Sequence, residues 1–108
     1  MKISICIPQY NRIEYLIKSL DELQGQSYSD FEVVISDDCS QDDTTNQIQE
    51  YLKASKYPIT YFRFDQNQGY DRNLIKSMEL AVGEYCFVLG NDDTLSHSHV
   101  LRDLEDFL

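Results

Sequence analysis

The chain predicts an α/β domain, an open and largely parallel sheet with helices on both faces. Three observations carry this. Short β-rich runs alternate with stripes of apolar residues at helical spacing. The runs contain consecutive apolar residues such as Val33, Val34 and Ile35, as strands covered on both faces do. The connections are short and punctuated by proline and glycine, which favours parallel β-α-β units with neighbouring elements adjacent in space.

In order, Ile3 to Ile7 reads as a first strand, stopped by Pro8. Ile13, Leu16, Ile17, Leu20 and Leu23 then stripe a helix that ends near Gly25. Phe31 to Ile35 is the second strand. Ser40 with Asp43 three residues later looks like a capping box, opening a helix that carries Ile48, Tyr51 and Leu52 and is closed by Pro58. Ile59 to Phe64 is the third strand. Leu74, Ile75, Met78 and Val82 stripe a third helix ended by Gly83, and Glu84 to Leu89 is the fourth strand. A last helix carries Val100, Leu101, Leu104, Phe107 and Leu108, and its apolar stripe persists to the final residue, so a longer parent protein is expected.

Composition narrows the function classes. The 108 residues suit one domain with a core, and no apolar stretch approaches the ~20 residues that span a bilayer. The N-terminus reads as a strand and not as a signal peptide, so the expected compartment is the cytoplasm, with the inner membrane face open to a full-length protein. A net charge of −10 argues against a nucleic-acid partner, whose binding needs a basic surface. The same charge repels a phosphate-bearing ligand at long range, so a phosphate site would need a metal or well-placed arginines. Cys6, Cys39 and Cys86 have no C-x-x-C spacing; Cys6 and Cys86 are expected as small core residues.

Ligands of such sheets bind at the carboxyl ends of the strands, and there the polar sequence gathers. The strand ends read Pro8-Gln9-Tyr10-Asn11-Arg12, Asp37-Asp38-Cys39-Ser40, Asp65-Gln66-Asn67-Gln68-Gly69 and Gly90-Asn91-Asp92-Asp93. Parallel topology puts them on one edge. Asp92 and Asp93 can supply oxygen ligands to Mg²⁺ or Mn²⁺; taken alone they are equally good turn chemistry. Asp37 and Asp38 can accept hydrogen bonds from a base or ribose, or cap the following helix. Tyr10 suits stacking on a planar ring, and Arg12 a phosphate, against packing and a solvated turn. Arg72 and Lys76 share a helix face as a phosphate clamp or a solvated surface. His97 and His99 diverge on a helix and do not form a metal pair.

The segments Ile7-Pro8-x-Tyr10-Asn11-Arg12, Val34-Ile35-Ser36-Asp37-Asp38-Cys39-Ser40-x-Asp42-x-Thr44, Asn67-x-Gly69 and Gly83-Glu84-Tyr85-x-Phe87-x-Leu89-Gly90-Asn91-Asp92-Asp93 resemble, in order, the amino-terminal part of family 2 glycosyltransferases of the GT-A fold. Gly69-Tyr70-Asp71-Arg72-Asn73 is most similar to the branch of O-antigen sugar transferases such as abequosyltransferase. The resemblance implies that residues 1–108 are the nucleotide-diphospho-sugar-binding part of such a domain, truncated at the carboxyl end. It implies a nucleoside-diphosphate sugar donor and a saccharide or lipid-linked acceptor. Asp38 would bind the base, with Pro8, Tyr10 and Arg12 lining the pocket, Arg72 facing the donor and Asp37 beside it. Asn91-Asp92-Asp93 stands at the family's D-x-D motif. Asp93 would be the main ligand of Mg²⁺ or Mn²⁺, and Asp92 would approach the metal, ribose or sugar. Asn91 replaces the first acid of that motif. Transfer would proceed with inversion, and the catalytic base would lie beyond this chain. A sugar nucleotidyltransferase would need a Gly-rich, basic first loop, which is absent. A non-catalytic nucleotide-binding or regulatory α/β module is the alternative.

Overall fold

The computed structural model describes residues 3–26 and 30–89. Within them the elements are β1 (Ile3–Gln9), α1 (Ile13–Gln24), β2 (Phe31–Asp37), α2 (Thr44–Ala54), β3 (Ile59–Arg63), α3 (Tyr70–Leu80) and β4 (Tyr85–Val88). The expected last helix, together with Asp92, Asp93, His97 and His99, lies outside the described residues. All strand pairs are parallel, in the order β3-β2-β1-β4.

That order follows from chain connectivity and handedness. β1, β2 and β3 advance in one direction, and the chain then returns to place β4 on the other side of β1. Right-handed crossovers put α1 and α2 on one face and α3 on the opposite face. Burial agrees with this order. β1 and β2 are buried along their whole length, whereas β3 and β4, at the outer positions of the described sheet, are half-buried or exposed.

Side chains alternate across a strand, and here the two faces differ in chemistry. On the α1–α2 face, Ile3, Ile5, Ile7, Phe31, Val33 and Ile35 form the apolar core with Leu16, Leu20, Leu23 and Ile48. The opposite face carries Ser4, Cys6, Glu32, Val34 and Ser36, all buried. α3 seats there through small polar residues. Asn73 and Ser77 are its buried positions. The Asn73 Nδ2 donates to the Gln9 carbonyl at 3.2 Å, and the Cys6 thiol points at the Ser77 carbonyl at 3.7 Å.

The apolar stripe expected to bury α3 is therefore corrected. Ile75 is 53% exposed, Met78 45% and Val82 71%. Periodicity counts only apolar residues, and this interface is built from hydrogen bonds and close backbone approach. The expectation for Cys86 is also corrected, since its side chain is exposed. Cys6 is buried as expected, and burial followed by the nearby Cys86 pushes its thiol up to about 12.

The link from α3 into β4 depends on Glu32 and Gly83. Ser4 and Glu32 are register partners on β1 and β2. The Ser4 hydroxyl donates to the buried Glu32 carboxylate at 2.6 Å, and the Val82 N–H donates to the same oxygen at 2.7 Å. The Gly83 N–H donates to Ser4 Oγ at 2.8 Å. A Cβ on Gly83 would meet Ser4 Oγ at 2.6 Å and Ser4 N at 2.9 Å, so only glycine allows this approach. Gly83→Ala should destabilise the chain by about 1–3 kcal/mol through overpacking, read as a lower urea midpoint. Gly25→Ala, whose Cβ would meet only Glu22 O at 3.6 Å, should stay within about 0.5 kcal/mol of wild type. Equal midpoints for the two variants would refute the close-approach argument.

Candidate functional site

At the carboxyl edge of the sheet, the register aligns Gln9, Asp37 and Arg63 on β1, β2 and β3. These polar residues continue the row that begins with the apolar core, so they point toward the α1–α2 side. Asp37 is fully buried. A buried carboxylate has to be met by donors, and the sequence supplies them locally. The Ser40 N–H donates to Asp37 Oδ1 at 3.1 Å, and the Ser40 hydroxyl donates to the same oxygen. The Tyr61 hydroxyl donates to Oδ2, and Arg63 Nε lies 4.0 Å from it.

Asp38 is the next residue and therefore points to the other face. It is 3% exposed. Its Oδ1 accepts the Gln68 N–H at 2.6 Å, and its Oδ2 accepts the Gly69 N–H at 3.0 Å. The acid pair thus divides its work by strand alternation. Asp37 braces the β2–α2 loop, and Asp38 braces the β3–α3 turn. Asp37 sits away from solvent, with both carboxylate oxygens engaged by protein donors.

The loops are also joined to one another. The Asp38 N–H donates to the Gln9 carbonyl at 2.9 Å, which also receives Asn73 Nδ2. The Asn11 N–H donates to Ser40 Oγ at 2.9 Å, and the Gln41 N–H donates to Asn11 Oδ1 at 2.6 Å. Asn11 reaches this position at φ +50, a left-handed conformation that asparagine tolerates well. Cys39 also takes positive φ, at +61, which is less usual for its residue type and occurs between the two braces.

The expected capping box is replaced by a different device. α2 starts at Thr44, and its N-cap residue Asp43 makes no side-chain cap. Asp42 takes the role instead. Its Oδ1 accepts the Thr44 N–H at 3.1 Å, and its Oδ2 accepts the Ile13 N–H at 3.1 Å, so one carboxylate serves the starts of both helices. Ser40 is occupied with Asp37 and Asn11.

The other anticipated ligand residues line the same edge. Pro8 is buried in β1, while Tyr10 is 45% exposed and Arg12 is exposed. The Arg12 guanidinium lies 5.6 Å from the Tyr15 ring centroid. Asn11, Arg12, Ile13, Glu14, Tyr15 and Asp42 surround a hollow of about 410 Å³. Arg72 and Lys76 border a second hollow of about 240 Å³, beside Phe64, Ile75 and Glu79. There the Lys76 ammonium sits 4.7 Å from the Phe62 ring centroid. These two basic residues therefore share the flank of α3 nearest β3. Among the described residues, no group of three His, Cys, Asp or Glu side chains could hold a metal ion. The metal reading rests on Asp92 and Asp93, which lie outside the described residues.

Sequence reasoning placed Gln9 on this edge without a role, quoted Thr44 and Asn73 only within motif segments, and missed Tyr61 and Arg63. Gln9 Nε2 donates to Thr44 Oγ1 at 3.1 Å, tying β1 to the start of α2. The signal for Tyr61 and Arg63 was available: alternation in β3 puts them on the face of Asp37. It needed the strand register, which sequence alone does not supply.

The model of "Glycosyl transferase family 2" matches residues 4–107. The chain belongs to that family. Among its relatives, Abequosyltransferase RfbV of Salmonella typhimurium is 43% identical over 98 residues, covering 89% of this chain and 29% of the relative. A Campylobacter jejuni GalNAc(5)-diNAcBac-PP-undecaprenol β-1,3-glucosyltransferase is 36% identical, covering 87% of this chain and 30% of its own length. Staphylococcus aureus TarS, crystallised with UDP-GlcNAc, superposes with a TM-score of 0.89 at 29% identity, covering 99% of this chain and 31% of the TarS chain. The present chain thus spans less than a third of each of these family members.

The Asp37 brace has a pH signature. Burial first, and then the hydrogen bond to Asp37, push the Tyr61 phenol well above its usual value. A group that holds its proton more tightly in the folded state contributes fully below its unfolded value of about 10, and the contribution is lost as pH rises beyond it. Tyr61→Phe should cost about 1–2 kcal/mol at pH 7, because Asp37 loses a donor. It should also flatten the loss of stability between pH 9 and 11, in urea titrations across that range. An unchanged alkaline slope would contradict this assignment.

Proposed function

We propose that this chain is the donor-binding portion of a glycosyltransferase that moves a sugar from a nucleoside-diphosphate sugar to a saccharide or lipid-linked acceptor. The observation that carries the reading is the convergence of three hydrogen-bonded loops on one sheet edge. It occurs beside the reversal of strand order between β1 and β4, where open α/β sheets hold nucleotides. Family membership and the nucleotide-sugar complex of TarS support the same chemistry.

Each residue then has a task. Tyr10 offers an exposed ring for stacking, and Arg12 offers a charge-assisted donor to phosphate. Asp38 stands beside the base, and Arg72 approaches from α3. Asp93, with Asp92, would hold Mg²⁺ or Mn²⁺, which supplies Lewis-acid stabilisation of charge on the departing nucleoside diphosphate. A cation also reconciles an anionic donor with a chain of net charge −10. Inversion needs a base that removes the acceptor hydroxyl proton, and we assign that base to a segment beyond this chain. Reaction at the cytoplasmic side completes the proposal. No helix among the described residues is long and apolar enough to cross a membrane.

Calorimetric titration with UDP and GDP, with and without Mn²⁺, tests the reading. Binding of one diphosphate should weaken about tenfold or more on addition of chelator or in Asp93→Ala, the order of one lost ionic contact. Absence of diphosphate binding would favour the regulatory-module alternative. Binding indifferent to both chelator and Asp93→Ala would remove the metal from the site.

A further inference from the structure

We infer that Asp38 acts on the donor site as a positioning residue, through the β3–α3 turn, and that turn and donor are coupled at its carboxylate. The inference rests on the donor-binding reading and concerns how that site is held.

Both Asp38 oxygens are already engaged. Oδ1 takes the Gln68 N–H at 2.6 Å and Oδ2 takes the Gly69 N–H at 3.0 Å. The Asp38 carbonyl also accepts from Asn67 Nδ2 at 3.5 Å. At 3% exposure the carboxylate has little water to draw on, so these amides are what make its burial tolerable. Charge-assisted bonds of this kind are about twice as strong as neutral ones.

The turn in turn depends on Asp38. Gly69 is the N-cap residue of α3 at φ +92, with no side-chain cap hydrogen bond. A Cβ there would meet nothing within 4 Å, so glycine is required by backbone conformation and not by space. Asn73 fixes the first turn of α3 to the Gln9 carbonyl, the same atom that receives the Asp38 N–H. Asp38 thereby sets both the turn and the start of the helix that carries Arg72. A base N–H arriving at this carboxylate has to share lone pairs with Gln68 and Gly69 or displace them. The donor consequently senses the turn, and the turn senses the donor.

Amide exchange followed by NMR, together with UDP calorimetry, tests this on wild type, Asp38→Asn and Gly69→Ala. In the ligand-free wild type the Gln68 and Gly69 amides should exchange about tenfold or more slowly than the exposed Gln66 amide, because an opening step precedes exchange. Asp38→Asn keeps one acceptor oxygen and replaces the other with an NH₂ donor, so at least one of those two amides should be released while β1 and β2 stay protected. Gly69→Ala keeps the carboxylate but strains the turn, and it should weaken UDP binding measurably, though less than Asp38→Asn, which also alters the group that meets the base. Fast exchange at Gln68 and Gly69 in wild type would overturn the inference. So would a Gly69→Ala variant with wild-type UDP affinity beside a weakened Asp38→Asn. If wild type binds neither UDP nor GDP, the donor reading fails, and exchange alone decides the clamp; if only GDP binds, GDP replaces UDP in the calorimetry. If Asp38→Asn does not fold, wild-type exchange and Gly69→Ala suffice.

Discussion

A buried carboxylate has to be surrounded by donors, and the edge of this sheet is organised around satisfying two of them. Asp37, the last residue of β2, and Asp38, the residue after it, are 0% and 3% exposed. An unpaired charge at such a position would cost several kcal/mol. Because consecutive residues face opposite sides, the pair recruits donors from the β2–α2 loop and β3 on one side and from the β3–α3 turn on the other. Ser40, Tyr61 and Arg63 gather around Asp37, and the Gln68 and Gly69 amides gather around Asp38. The loops that would handle a donor are therefore shaped before any donor arrives.

This preorganisation has a chemical consequence. A diphosphate ligand brings negative charge to an acidic chain, and ordering flexible loops at the same time would add an entropic cost to the electrostatic one. Here the ordering cost is met on folding. Asp42 contributes in the same way: one carboxylate caps the starts of α1 and α2 and fixes the separation of the helices that flank Tyr10 and Arg12. The exposed Tyr10 and Arg12 are left as the adaptable surface of a rigid edge.

The sheet itself was readable in the residues. Consecutive apolar runs marked β1 and β2, and proline and glycine marked the connections. Strand boundaries moved by a residue or two, as for β1, which continues through Pro8 to Gln9. What could not be read was the seating of α3. Its contacts are made by Asn73, Ser77 and the close approach of Gly83 to Ser4, none of which enters an apolar pattern. The site was legible as a set of polar strand ends but not as a division of labour. Asp37 and Asp38 look equivalent in sequence, and register decides which faces Tyr61 and which faces the Gln68 turn. Likewise Ser40 resembles a helix cap until Asp37 is seen to hold it.

The most direct measurement is an amide chemical-shift titration of the isotope-labelled chain with UDP and with GDP in the presence of Mg²⁺. The expected result is a saturable set of shifts at Tyr10–Arg12, Asp38–Ser40 and Asn67–Gly69, the three loops that the acid pair joins, together with Arg72 and the proposed metal ligands Asp92 and Asp93. Shifts centred on the opposite edge of the sheet, around Ser4, Glu32 and Gly83, or no saturable shifts with either nucleotide, would contradict a donor site at the carboxyl ends of the strands.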